Sequence, residues 1–119
     1  MNIRKRQKTE FGSYLVEQIK AAEMTQEEFY NAIGIKKPYF YDLLTLTPPP
    51  IDLQNRMLAV LDEKTGEDDS RRLRFYDLAA AGRNEIPADI LDMIVGHQNQ
   101  LSTIRTMLAA LLVSKEKGE

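Results

Sequence analysis

The 119-residue sequence contains no cysteine, no tryptophan and a single histidine. Without cysteine the chain forms neither disulfides nor thiolate zinc sites, and one histidine is too few for the usual zinc or metal-hydrolase patterns. There is also no glycine-rich phosphate loop, no nucleophile elbow and no carboxylate pair that stands apart as an acid/base constellation. We therefore expect a protein that is not an enzyme and has no metal or other cofactor.

Long apolar runs are lacking as well. No segment reaches the roughly 18 uncharged apolar residues that predict a membrane-spanning helix. The basic stretch Asn2–Arg6 is not followed by an apolar region, so it does not match a secretory signal. Because a cysteine-free chain also suits a reducing compartment, we expect a cytoplasmic protein.

The charge is close to balanced, with a formal net charge of −2. Residues 1–50 carry seven Lys and Arg against six Asp and Glu, and residues 51–119 carry nine against twelve. A nearly neutral domain still binds DNA when its basic groups share one face, so net charge alone decides no function class.

The stretch from Thr25 to Thr45 predicts two short helices joined by a tight turn. Thr25 and Glu28 have the spacing of a capping box at the start of the first helix. Gly34 is placed to end that helix in a left-handed conformation, and Pro38 suits the first turn of the second helix. Apolar residues at helical spacing face one another across the turn: Phe29, Ile33, Phe40, Leu43 and Leu44. This pattern is typical of a helix-turn-helix.

Three further helices are predicted around this pair, over Glu10–Ala22, over Asp52–Asp62 and from about Asp68 to Gly82. The stretch Thr47–Pro50 is expected to be an extended connector, because consecutive prolines cannot continue a helix. Arginines in the fifth helix are most simply explained as a solvated face: Arg71, Arg72, Arg74 and Arg83.

From Phe11 to about Ile90 the chain resembles the Cro and phage-repressor type of helix-turn-helix transcriptional regulator. The resemblance is carried by the run Thr25–Glu28, the turn Gly34-Ile35, the apolar residues named above and the trailing Pro49-Pro50. The runs Tyr76–Ala79 and Arg83–Ile90 resemble a tail found in small regulators of plasmids, phages and other mobile elements. The resemblance implies an all-α protein with a five-helix, lambda-repressor-like DNA-binding domain over residues 1–84, acting in transcription regulation, most simply as a repressor.

The resemblance also implies which residues meet DNA. Gln26 matches a position that contacts the DNA backbone, and outward positions of the second motif helix match residues that reach bases and phosphates: Lys36, Lys37, Tyr39, Tyr41, Asp42 and Thr45. Lysine can bind guanine acceptors or phosphates, and Asp42 could accept from cytosine N4. The basic residues Arg4, Lys5 and Arg6 would form an arm along phosphates or in the minor groove. The simpler alternatives are a solvated helix face and a poorly ordered terminus.

Three positions depart from the family pattern. Tyr30 stands where a small residue is preferred, Lys36 stands where Ser or Thr caps the helix, and Leu46-Thr47 stands where glycine usually follows. Together with the near-neutral charge, they motivate an alternative function. In that alternative the helix-turn-helix fold binds another protein, as an antirepressor or an inhibitor of a nuclease system would.

Residues 85–119 predict a long C-terminal helix that forms a homodimer. Positions at alternating spacings of four and three form a heptad seam: Ile90, Ile94, His97, Leu101, Ile104, Leu108 and Leu111. Between Gln98 and Ser114 the only charged residue is Arg105, so the apolar surface is wider than one seam. His97 fits a polar residue that sets register better than a metal ligand. The alternative is a helix folded back on its own domain.

Such a dimer would place two DNA-reading helices about 34 Å apart, in successive major grooves on one side of the duplex. The sequence therefore predicts a regulator that binds a palindromic operator as a homodimer.

Overall fold

The computed structural model describes residues 6–117, with side chains for residues 6–113. Every regular element in this range is helical, which confirms the all-α class. The elements are α1 (Glu10–Ala21), α2 (Gln26–Ala32), α3 (Lys37–Thr45), α4 (Ile51–Thr65), α5 (Asp69–Arg83), α6 (Ala88–Val95), a 3₁₀ turn (Gln98–Gln100) and α7 (Leu101–Lys117). The chain divides between Ala88 and Asp89 into two compact units, which we call the N-terminal and C-terminal units.

The ends of α2 and α3 follow from local sequence signals. Glu28 N donates to Thr25 Oγ1 at 3.0 Å and Thr25 N donates to Glu28 Oε1 at 2.8 Å, so the predicted capping box is formed. Gly34 has φ of +81°, the left-handed conformation expected of it. Pro38 lies in the first turn of α3, where its missing N–H has no helical acceptor.

Four phenylalanines form the centre of the N-terminal unit. Phe11, Phe29, Phe40 and Phe75 are each at most 2% exposed. The rings of Phe11 and Phe75 meet edge-to-face at 5.0 Å, which joins α1 to α5, and Phe40 on α3 packs against Phe29 on α2 at 6.1 Å. Because α1 packs against α2, α3 and α5, this helix lies at the middle of the unit.

The start of α1 is held tightly against the end of α3. Thr9 caps α1 by accepting from Gly12 N, and its own N–H donates to Leu44 O at 2.9 Å. A Cβ at Gly12 would lie 2.0 Å from Leu44 O, so only glycine allows this approach of the two backbones. These contacts fix the C-terminal end of α3.

The junction between α4 and α5 differs from the sequence prediction. Arg71 is 8% exposed rather than solvated, and its guanidinium pairs with Asp62 and donates to Thr65 Oγ1 and Gly66 O at 2.7 Å each. A buried guanidinium is tolerated because these oxygens compensate its charge and accept from Nη1 and Nη2, although the buried Nε has no hydrogen-bond partner among the described residues. The fifth helix also continues past Gly82 to Arg83 and ends at Asn84, which is left-handed with φ of +59°.

The C-terminal unit is not the single long helix that the heptad pattern predicted. The helix stops at Val95, and His97 has φ −133° and ψ 48°, outside the helical region. Gly96 is a poor helix former, and the 3₁₀ turn that follows leads into α7. The predicted seam is therefore divided, with Ile90 and Ile94 on α6 and His97 in the break. Leu101, Ile104, Leu108 and Leu111 lie on α7.

Candidate nucleic-acid interface

The outer side of α3 carries half of the predicted DNA-contacting residues. Lys36 and Lys37 at its start are exposed, as is Tyr39, which is 44% exposed. Gln26 is exposed at the first residue of α2. The structure therefore brings two lysines, an aromatic ring and an amide to the surface of one pair of packed helices.

The second half of this surface is occupied by the segment that precedes α1. The Arg6 guanidinium donates from Nη2 to Asp42 Oδ1 at 2.8 Å, and its Cζ lies 4.5 Å from the centre of the Tyr41 ring. The Arg6 backbone N–H donates to Tyr41 Oη at 3.0 Å. We call this arrangement of Arg6, Tyr41 and Asp42 the arginine clasp. The hydrogen bond to Asp42 raises the pKa of Arg6, so the guanidinium stays charged.

The arginine clasp changes the expected role of two residues. Arg6 lies on α3 instead of extending away from it as the end of a separate arm. Asp42 does not present an unpaired carboxylate, since Arg6 already donates to it. The side chains are 40% exposed for Arg6 and 50% for Asp42, so a ligand at the surface of α3 still reaches both.

Thr45 was predicted to face outward, and this prediction is wrong. The residue is 9% exposed, and its hydroxyl donates to Tyr41 O at 2.8 Å, one turn earlier in α3. Its side chain satisfies a carbonyl of its own helix, a common role of threonine within helices. Arg4 and Lys5 lie outside the described residues, and their predicted contacts stay predictions.

Two shallow grooves flank Tyr41. One, of about 270 Å³, runs between α2 and α3 and is lined by Gln26, Glu27, Tyr30, Lys37, Phe40, Tyr41 and Leu44. The other, of about 320 Å³, is lined by Arg6, Lys8, Gln26, Tyr41, Leu44 and Thr45. Gln26, Tyr41 and Leu44 belong to both grooves, so they lie at the centre of the surface.

The sequence prediction did not include Glu27 or Tyr30 among the surface residues of this site. Tyr30 is half-buried with its ring 5.4 Å from that of Phe40, which is how a large residue is accommodated where the two helices meet. Glu27 follows Gln26 directly in the first turn of α2, and this adjacency was the available signal for it. Lys8 belongs to the same basic N-terminal run as Arg4, Lys5 and Arg6, which the sequence predicts as an arm along DNA.

The C-terminal unit exposes a large apolar surface on α7. Met107 and Leu111 are 66% and 62% exposed, and Leu108, Leu112 and Val113 are each about half exposed. Leu101 and Ile104, from the same predicted seam, are partly buried. Within the described part of the chain, no helix is both long enough and apolar enough to cross a membrane.

No group of metal-ligating side chains occurs among residues 6–113. Comparison of the chain with protein-family models, with curated proteins and with solved structures found no match. The evidence for a function therefore comes from the arrangement of α2 and α3 and from the chemistry of their surface.

Proposed function

We propose that this protein is a sequence-specific DNA-binding regulator of transcription, most simply a repressor, and that it acts as a homodimer on a palindromic operator. In this proposal α2 and α3 are a helix-turn-helix within a five-helix DNA-binding domain, and α3 enters the major groove. The single observation that carries the proposal is the outward display of Lys36, Lys37 and Tyr39 at the exposed start of α3.

The chemistry of this surface suits duplex DNA. Lysine ammonium groups neutralise phosphates and also donate to guanine acceptors in the major groove. Gln26 adds an amide that is able to donate to a phosphate oxygen. Pairing of Asp42 with Arg6 reduces the repulsion that a bare carboxylate on α3 would exert on the DNA backbone.

Dimerisation through α7 is part of the same proposal. A helix that is apolar on most of its circumference is normally buried, and α7 exposes several large apolar side chains. A second copy would supply a matching apolar surface, since a two-fold interface pairs the same patch on both chains.

A salt titration of DNA binding tests the proposal. The full chain should bind random duplex DNA at low salt, with an affinity that falls steeply as salt rises, because each neutralised phosphate releases counterions. Replacing both Lys36 and Lys37 with alanine should weaken binding by about ten- to a hundredfold and flatten the salt dependence. Lys64→Ala, which removes an exposed charge from the last turn of α4, is the matched control and should bind like wild type.

Two results would contradict these expectations in different ways. Unchanged affinity of the double lysine variant would mean that DNA meets another surface. A wild-type chain that binds no DNA at low salt would exclude the DNA-binding proposal.

A second candidate function is supported by the groove between α2 and α3. Its apolar and aromatic lining and the acidic Glu27 suit a protein partner better than a phosphate backbone. In this alternative the helix-turn-helix fold serves as a protein-interaction module, such as an antirepressor or an inhibitor of a nuclease system. Absence of DNA binding at low salt favours it.

A further inference from the structure

The segment before α1 is attached to α3 at two places. Arg6 contacts Tyr41 and Asp42, and Thr9 N donates to Leu44 O at 2.9 Å. Arg6 and Thr9 are three residues apart, and so are their partners Tyr41 and Leu44 on α3. The segment therefore runs alongside α3 between these two contacts. This attachment places the Arg6 side chain on the surface of α3, where a ligand of that helix would meet it.

The arginine clasp holds the guanidinium in one orientation. Asp42 accepts from Nη2, and the Tyr41 ring lies beneath the planar group as in a cation–π contact. Arginine has five N–H donors, and the acceptors that the guanidinium meets on α3 are the Asp42 carboxylate and the Tyr41 hydroxyl. N–H donors therefore remain for a ligand, while the Tyr41 ring and the Asp42 carboxylate hold the guanidinium on two sides.

The paired charges of the arginine clasp favour one of the two kinds of acceptor that DNA offers, which are phosphate oxygens and base edges. The Asp42 carboxylate sits 2.8 Å from Nη2, so it cancels much of the attraction between Arg6 and a phosphate and repels the phosphate itself. A guanine edge carries two acceptors, O6 and N7, and no net charge. A neutral acceptor pair is therefore the better match for a guanidinium that already has a carboxylate partner.

We infer that Arg6 is a specificity-determining residue that enters the major groove with α3 and donates two hydrogen bonds to guanine, while Asp42 and Tyr41 act as positioning residues. This inference rests on the proposed function and names the base that one position of the operator must carry. It replaces the expectation that Arg6 belongs to an arm in the minor groove.

Selection of bound sequences from a pool of random duplex DNA tests the inference, using the full-length wild type and two variants. Arg6→Lys keeps the charge but lacks the two parallel donors, and Asp42→Asn keeps the shape but removes the anchoring charge. The wild type should select sites with guanine fixed at one position of each half-site. Arg6→Lys should select sites in which that position is degenerate and the other positions are unchanged.

Affinities for the selected site and for the same site without that guanine make the test quantitative. The wild type should prefer the guanine by roughly 5- to 150-fold, the range of one bidentate base contact, and Arg6→Lys should show almost no preference. Asp42→Asn should lose part of the preference while binding random DNA more tightly, because a negative charge near the phosphates is gone. A merely structural role for Asp42 would instead lower the affinity for every sequence equally.

Each outcome has a distinct meaning. The inference is wrong if Arg6→Lys selects the same sites as the wild type. It is also wrong if Arg6→Ala weakens binding to all sequences equally and lowers the salt slope by about one, because Arg6 then contacts phosphate. The proposed function survives that result. If the wild type enriches no sequence and binds no DNA at low salt, both the inference and the proposed function are wrong.

Discussion

The N-terminal and C-terminal units differ in how completely each buries its apolar residues. In the N-terminal unit four phenylalanines are at most 2% exposed. In the C-terminal unit Met107, Leu111 and Leu112 are all more than half exposed, although their helix is rich in apolar residues. The first unit has a closed core of its own, whereas the second leaves large apolar side chains exposed.

This difference teaches that helix formation and core formation are separate requirements. The sequence of α7 favours a helix throughout, but a helix alone covers only part of each side chain. Substitutions in the two units should therefore have different consequences, and the following three are ordered by their expected effect on the folding of the N-terminal unit.

Phe75→Ala should have the largest effect. It removes a fully buried ring that packs edge-to-face on Phe11, and truncation of a buried phenylalanine costs about 3–5 kcal/mol. Urea denaturation followed by circular dichroism measures this loss. Leu46→Ala, at a residue that is 54% exposed, is the matched control and should lower the free energy of unfolding far less. Equal losses for the two variants would show that Phe75 is not part of a closed core.

Gly12→Ala should have an intermediate effect. The new methyl group would lie 2.0 Å from Leu44 O, so α1 and α3 would have to separate, at a cost of roughly 1–3 kcal/mol. Thermal unfolding measures the change, with the neighbouring exposed Ser13→Ala as the control. A Gly12→Ala variant as stable as the wild type would contradict the close approach of the two helices.

Leu108→Asp combined with Leu111→Asp should have the smallest effect on folding and a full effect on association. Both side chains are substantially exposed in one chain, so the charges should not destabilise the N-terminal unit. In the proposed dimer they would be buried together, and light scattering should report a monomer. Thr103→Asp, at an exposed polar position of α7, is the control for added charge. A double variant that stays dimeric would place the interface elsewhere.

Much of the N-terminal unit was predictable because its signals are local. Thr25 and Glu28 are three residues apart, Gly34 needs only its own backbone conformation, and Pro38 acts on the turn in which it stands. The facing apolar residues were also predictable, since helical spacing alone identifies a buried side.

The errors occurred where distant residues decide the outcome. Arg71 reads as a surface residue from its type, and its burial depends on oxygens from Asp62, Thr65 and Gly66 that α4 brings to it. The arginine clasp joins residues 35 and 36 positions apart, and no periodicity connects them.

The break after α6 was underestimated for a different reason, since Gly96 indicated a bend in the long helix and not an end to it. A heptad pattern records only which positions are apolar, and it continues unchanged through Gly96 and His97. The backbone at these two residues leaves the helix, and the 3₁₀ turn follows. The heptad pattern thus described the spacing of these positions correctly, but the prediction of one continuous helix was wrong.

The attachment of Thr9 to the Leu44 carbonyl has a thermodynamic consequence for any ligand of α3. The Gly34 turn sets the first turn of this helix and Thr9 holds its last turn, so we expect α3 to bind a ligand without changing its conformation. Complex formation would then require little additional loss of chain entropy and little coupled folding. The heat-capacity change on association should accordingly reflect the surface covered by the ligand alone.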